Sequence, residues 1–411
     1  MRDIYTSIDI GTDSIKVITA EYYDDKYNIL AFSCVSSAGV KKGLIVDANL
    51  VTTAIKKAIK QVQNKLGTKI EKVLAVVPSN NIKIDIVNSK MKNSNENKII
   101  DGDLIFNCMQ KSLKNVDLDG REVVGVFPAL CILDNDKQVL NPLGLESEVL
   151  SIKNAVLSVP NKNVYSVVSI LKEIGIEVID VAISSVCDYY AMKSKELDNK
   201  ISAIINIGEE KTNVAVFNKG IIIKDSIMPV GSRNIDSDIS NTYDVNMAIS
   251  KKIKEEFAVS NRRYADSEEV YTCKNEAGEK VEINQYKLAD LVETRIIDIL
   301  KNAKTLINNL TNKEIGYIIV TGGLTSMLGF NAIASDVYSR NATCLNIGVL
   351  GIRENKYGTC FGMIKYFVDK LELREKEYTM FSDTNIEEML STSKKTGTSS
   401  VIGKIFGKIF D

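Results

Sequence analysis

Asp9-Ile10-Gly11-Thr12-Asp13-Ser14-Ile15-Lys16-Val17 decides the fold, because a second stretch lies over it residue for residue: Asn206-Ile207-Gly208-Glu209-Glu210-Lys211-Thr212-Asn213-Val214. Each follows an apolar strand, Ile4 to Ile10 or Ile201 to Ile207, that runs into a glycine. Each is followed by two more strands, Ile15 to Tyr23 and Tyr27 to Val35 in the first case, Asn213 to Phe217 and Ile221 to Pro229 in the second. One strand-turn-strand-strand unit occurring twice is an internal repeat, and it predicts two halves of related build.

A buried strand ending in Asp-x-Gly-Thr suits phosphate. Amides after Gly11 point into the turn and can donate to phosphate oxygens. Asp9 can hold a hydrated magnesium ion, which keeps its waters and needs one or two carboxylates. Thr12 and Ser14 add hydroxyls and Lys16 a cation; in the second copy Gly208 and Thr212 take the matching places. Two facing hairpins clamp a nucleotide's phosphates from both sides. A third turn, Thr321-Gly322-Gly323, lets backbone come close to base and ribose.

Between these landmarks the pattern is mixed α/β. Asp47 is a candidate N-cap for a helix whose apolar positions Val51, Ile55, Ala58, Ile59, Val62 and Leu66 recur at helical spacing until Gly67. Lys72 to Val77 is an apolar strand. From Ile82 to about Asn163 the texture changes, first rich in Asn, Lys and Ser, then with short strands and a helix near Asp103 to Leu113, as in an inserted domain. Helices are predicted at Val164 to Ile174, Leu288 to Asn309 and Gly358 to Leu371, with strands at Glu177 to Ala182 and Ile315 to Thr321. A long helical region is expected after the second set of strands.

Composition narrows the chemistry. A net charge of -1 over 411 residues gives no global basic field, so nucleic acid is not an expected partner. The chain has no histidine, which removes His-based acid-base catalysis, Ser-His or Cys-His pairs and His-ligated metals. Its seven scattered cysteines form no Cys-x-x-Cys pair and read as reduced, mostly buried thiols. No signal peptide and no bilayer-spanning run are read from the sequence.

The paired loops and the Thr-Gly-Gly turn resemble the actin, sugar-kinase and heat-shock-chaperone ATPase superfamily, and further stretches resemble the FtsA family within it. These are Val40-Lys41-Lys42-Gly43-Leu44-Ile45-Val46-Asp47, Asn141-Pro142-Leu143-Gly144-Leu145, Met228-Pro229-Val230-Gly231 with Ile235 and Asp238-Ile239, Leu345-Asn346-Ile347-Gly348, and Tyr357-Gly358-Thr359-Cys360-Phe361-Gly362. The resemblance implies an actin-like ATPase fold: two ribonuclease-H-like halves with an FtsA-type small domain inserted in the first. The implied division is 1–81 with 164–200 for the first half, 82–163 for the insert, 201–230 with 311–371 for the second half and 231–310 for a fourth subdomain. It also implies ATP with Mg2+ in the cleft, with Lys251 and Lys254 at the places where the family contacts adenosine, and self-association into filaments.

The sequence departs from the family pattern at the second loop. Its usual acid is Asn206, two glycines are Glu209 and Glu210, a threonine is Lys211, the last acid is Asn213, and the third glycine of the later turn is Leu324. A unit charge about 5 Å from another costs ~3 kcal/mol at an effective dielectric of about 20. That is about a hundredfold in affinity per inward glutamate. Weakened ATP binding is expected, with at most a weak ATPase activity.

The tail carries its own pattern. After a polar linker, 372–400, Val401, Ile402, Ile405, Phe406, Ile409 and Phe410 fill one half of a helical wheel, opposite Lys404 and Lys408. At ~16 Å such a helix is too short to cross a bilayer. It fits one lying in the interface of anionic lipid, and the resemblance implies the cytoplasmic side of the cell membrane. Each lysine adds about 1 kcal/mol, so one tail binds weakly and a filament of tails binds well.

By resemblance, the fourth subdomain would bind the C-terminal peptide of FtsZ. Arg295 stands at the peptide-contacting place and Lys287 lies at i−8 from it. The implied function is a non-enzymatic division scaffold that tethers FtsZ to the membrane at the septum, with other division proteins as further partners. The alternatives are a protein resembling PilM of type IV pilus assembly, and a sugar or acid kinase, against which the altered second loop argues.

Overall fold

The computed structural model describes residues 3–339, 342–349, 351–352, 354–382, 384–386 and 389. The chain opens with β1 (Asp3–Ile10), β2 (Ser14–Tyr23) and β3 (Lys26–Ser36), then a small hairpin of β4 (Val40–Lys41) and β5 (Leu44–Ile45). Helix α1 (Ala48–Leu66) starts where Asp47 accepts from the Leu50 amide and stops at Gly67, whose φ of 77° is left-handed. Its buried stripe is the apolar set read from the sequence with Ala54 added, and it packs on β2 and β3. Strand β6 (Lys72–Val77) follows, parallel to β1.

The next segment forms a sheet of its own: β7 (Lys83–Lys92), β8 (Arg121–Ile132), β9 (Gln138–Val139) and β10 (Val149–Pro160), in the order β7-β10-β8-β9. Helix α2 (Gly102–Ser112), capped by Asp101, covers it. Three of these strands are long rather than short, and β10 reaches back into the first core through Ala155, Leu157 and Val159. Helix α3 (Asn161–Glu173) and β11 (Glu177–Ile183) complete the first sheet, ordered β11-β6-β1-β2-β3.

Helix α4 (Ser184–Met192) leads to the second sheet: β12 (Ile201–Ile207), β13 (Thr212–Asn218) and β14 (Ile221–Met228). The helical region after it is broken at Asp244, in left-handed conformation, into α5 (Arg233–Tyr243) and α6 (Met247–Glu256). A hairpin, β15 (Val270–Lys274) with β16 (Lys280–Asn284), precedes α7 (Gln285–Leu310). That helix starts before the sequence expectation because Asn284 caps it. Strand β17 (Tyr317–Thr321), helix α8 (Phe330–Tyr338) and β18 (Ala342–Cys344) close the second sheet, β14-β13-β12-β17-β18.

The two five-stranded sheets have one topology. In both, three antiparallel strands are extended by two parallel ones beside the first strand. The fold is actin-like α/β.

Helix α9 (Gly358–Leu373) follows the second sheet in sequence but packs on α4 and β1 of the first. Its approach needs a glycine at Gly362, where a Cβ would stand 1.7 Å from the Cys187 carbonyl oxygen. The segment after α9 is not all linker. Met380 donates its amide to Ile4 O at 3.1 Å, Ile4 donates to Thr379 Oγ1 at 3.1 Å, and Met380 and Phe381 are buried. Apolar burial outweighs the polar composition that suggested a free segment there.

Candidate functional site

The repeat places its two loops face to face. Asp9 pairs with Lys16 at the end of β1, and Asn206 pairs with Asn213 at the same point of β12. Each turn closes with one backbone bond, Gly11 N to Ser14 O at 3.1 Å and Gly208 N to Lys211 O at 2.9 Å. A Cβ on either glycine would lie 2.9 Å from the same carbonyl oxygen, so both turns want glycine. The third turn leaves β17 at Gly322, where φ is 105° and a Cβ would meet Ile207 O at 2.2 Å.

Together the turns line a cleft of about 750 Å³ between the halves. Of the sequence-predicted residues, Asp9, Gly11, Thr12, Ser14, Lys16, Gly208, Lys251, Lys254, Gly322 and Gly323 all line it. Thr212 does not, which corrects the sequence reading. Side chains alternate along a strand, so Thr212 turns inward, fully buried, and donates to Val230 O at 2.8 Å, while Asn213 takes the cleft side.

Charge in the cleft is paired. Lys16 Nζ lies 3.4 Å from Asp9 and donates to Ser14 O at 3.3 Å. Burial opposes its charge, and the Asp9 carboxylate overrides that, so its pKa is raised. The two glutamates of the second loop part company. Glu210 turns away from the cleft: it accepts from the Lys42 amide at 2.8 Å and from Arg233 Nη1 at 3.0 Å. Glu209 turns in, and burial, then the nearby Asp13 carboxylate, push it up to about 7. Lys251 pairs with Asp13 and stands 3.9 Å from Glu209. Lys211 donates to Asn80 Oδ1 at 3.0 Å, and burial lowers its pKa. Lys254 is held at 2.8 Å by Asp236, so its ammonium is already engaged.

Beneath the loops lie acids that the sequence reading did not single out. Asp188 accepts from Asn206 Nδ2 at 2.6 Å and from Thr359 Oγ1 at 2.7 Å. Asp225 accepts from Ser185 and, at 3.5 Å, from Asn213 Nδ2. Burial pushes both carboxyls up to about 7. Asp188 stands out in the sequence as an acid inside the apolar run Val186-Cys187-Asp188-Tyr189-Tyr190, a signal that could have found it. Asp13 sits inside the quoted loop.

The turns at Gly11, Gly208, Gly322 and Gly323 line the cleft, so a phosphate chain there would meet backbone amides. The residues do not fit Mg2+. Asp9 is occupied by Lys16, and the second and third acid positions are amides: Asn206 is committed to Asp188, and Asn213 donates to Ser79 Oγ at 3.0 Å and Ser185 Oγ at 2.8 Å. Among the described residues, no group of three or more His, Cys, Asp or Glu is placed to hold a metal.

Outside the cleft, Arg295 on α7 grips Asp238 of α5 with two prongs, at 2.6 and 2.8 Å. Its carboxylate partner is thus one of the chain's own. Lys287 is exposed in the first turn of α7. The tail residues 401–411 lie outside the described residues, and among those described no helix is long and apolar enough to cross a membrane.

The fold and cleft define an actin-like protein. Among solved structures, the PilM-PilN type IV pilus biogenesis complex superposes with a TM-score of 0.59 at 10% identity, over 90% of this chain and 98% of that one. MreB5 of Spiroplasma citri bound to ADP gives 0.55 at 12% identity, over 90% and 98%. Within that class the chain is similar to FtsA. The model of the family described as cell division protein FtsA matches residues 203–362. Cell division protein FtsA of Bacillus subtilis is 26% identical over 89% of this chain and 83% of its own length. FtsA of Staphylococcus epidermidis is 25% identical over 96% and 86%, and that of Enterococcus faecalis 22% over 99% of both chains.

Proposed function

We propose that this chain is a scaffold of bacterial cell division, an actin-like body that self-associates and joins the C-terminal peptide of FtsZ to the cytoplasmic face of the membrane. The observation that carries the reading is the run of relatives named cell division protein FtsA along nearly the whole chain. The amphipathic pattern of Val401, Ile402, Ile405, Phe406, Ile409 and Phe410 supports the membrane role. Exposed Lys287 and half-exposed Arg295 on α7 are the proposed peptide contacts, with Arg295 exchanging Asp238 for a peptide carboxylate. The likeness to PilM is one of fold, at 10% identity, and supports no pilus role.

Nucleotide is proposed as the cleft's ligand and hydrolysis is not. The turns at Gly11, Gly208 and Gly322 line the cleft and offer backbone amides to phosphate, whereas Asn206 and the inward Glu209 remove an acid from the chemistry and add one against the phosphates. Flotation of the full chain with phosphatidylglycerol vesicles, with and without a labelled FtsZ C-terminal peptide, tests the scaffold reading. Co-flotation of protein and peptide, abolished for the peptide by Lys287→Glu with Arg295→Glu and for both by truncation after Ser399, is expected. Peptide left in solution beside floating protein would overturn the tether.

A further inference from the structure

Besides the floor bonds of Asn206 to Asp188 and Asn213 to Ser185, four side-chain contacts tie the second loop and α6 to the first half across the cleft. Lys251 of α6 pairs with Asp13 of the first loop while standing 3.9 Å from Glu209 of the second. Glu210 accepts from the Lys42 amide at 2.8 Å. Lys211 donates to Asn80 Oδ1 at 3.0 Å, and Asn213 to Ser79 Oγ at 3.0 Å. Three of the four use the very residues at which the second loop departs from a glycine-and-acid pattern.

Two facing loops that both carry carboxylates repel unless a cation stands between them. A divalent ion is the usual solution where the acids are free to receive it. Here the acids are not free, since Asp9 is held by Lys16 and the other two places are the amides Asn206 and Asn213. Of the other carboxylates lining the cleft, Asp13, Glu209 and Glu255 converge on one ammonium, that of Lys251, while Glu354 pairs with Lys356. We propose that Lys251 is the cation that joins the carboxylates of the two loops: it closes the two halves on each other without divalent metal, and a nucleotide entering the cleft is bound metal-free. The second clause rests on the reading of the cleft as a nucleotide site; the first does not.

The Lys42 amide, which donates across the cleft to Glu210, reports on closure by hydrogen exchange in the full chain without nucleotide. In EDTA the wild-type amide exchanges slowly, and added Mg2+ changes its rate by less than about twofold. Lys251→Glu speeds exchange about tenfold or more, and Lys251→Arg keeps it slow. Should Lys251→Glu fail to fold, Lys251→Met removes the charge alone and is read in the same way. Slowing by Mg2+ of about tenfold, or an unchanged rate in the charge-removing variant, would overturn the proposal.

Calorimetry with ADP then separates the two clauses. Equal affinity in EDTA and in Mg2+ is expected. Binding only with Mg2+ overturns the metal-free clause. No binding in either overturns that clause together with the nucleotide reading, while the exchange result stands apart from both.

Discussion

The first loop and the second share a backbone and differ in what their side chains do. Gly11 and Gly208 close the same turn with the same bond, against the same distance limit of 2.9 Å for a Cβ. Above that backbone, Asp9, Thr12, Ser14 and Lys16 line the cleft, whereas Glu209, Glu210, Lys211 and Asn213 point to partners in the other half or into the cleft. Turn geometry is fixed by local sterics and survives such change. Charge is not, and the side chains of the second loop pair largely with the protein's own groups.

The largest effect should come from the third turn, whose backbone packs against the end of β12 at the second loop. Gly322→Ala puts a Cβ 2.2 Å from Ile207 O at a φ of 105°, and we expect a loss of ~3 kcal/mol in urea unfolding. A loss below about 1 kcal/mol would mean that the third turn is not packed on the second loop as described.

Next is the buried floor. The folded-state pKa of Asp188 is raised to about 7, by burial first, above its ordinary 3.8. A carboxyl raised on folding contributes stability fully below the unfolded value and loses it as pH rises through the folded one. Stability should therefore decline as pH rises from about 4 through about 7. Asp225 acts in the same direction. Asp188→Asn should flatten the profile and raise the thermal midpoint at pH 8; a midpoint that drops at pH 8 would show that the charged form is tolerated.

A smaller effect is expected at α7. Removing Arg295 leaves Asp238 without its two-pronged partner, but the pair is partly exposed and so worth about 1 kcal/mol after solvent screening. Arg295→Ala should cost about that, and Asp238→Ala with Arg295→Ala together little more. A larger coupling would count against an arginine available for exchange with a peptide.

The repeat, the strand ends and the first helix were legible because each rests on neighbours in sequence: Asp47 caps, Gly67 stops, and Gly11 and Gly208 turn. What could not be read depends on distant partners. Nothing near Glu210 announces that the Lys42 amide will draw it outward while Glu209 stays in, since Lys42 lies 168 positions away. Arg295 reads as a free surface cation until Asp238, on another helix, appears beside it. Thr212 was misplaced by treating the loop as a string of donors rather than as the start of a strand with alternating faces. The β15–β16 hairpin escaped because its exposed positions, among them Val270, Thr272 and Glu282, leave little apolar contrast to read. Met380 and Phe381 were hidden in a polar stretch, and only the open end of β1 gives them a place to dock.

The divergence of the loops comes down to one inward carboxylate, and a calorimetric titration of ADP in EDTA at pH 8, where Glu209 is ionised, tests it most directly. Glu209→Gly should tighten binding about tenfold or more over the wild type, and Glu210→Gly less than about twofold. Equal effects of the two substitutions, or none from Glu209→Gly, would contradict the assignment of one glutamate to the cleft and the other to the clasp.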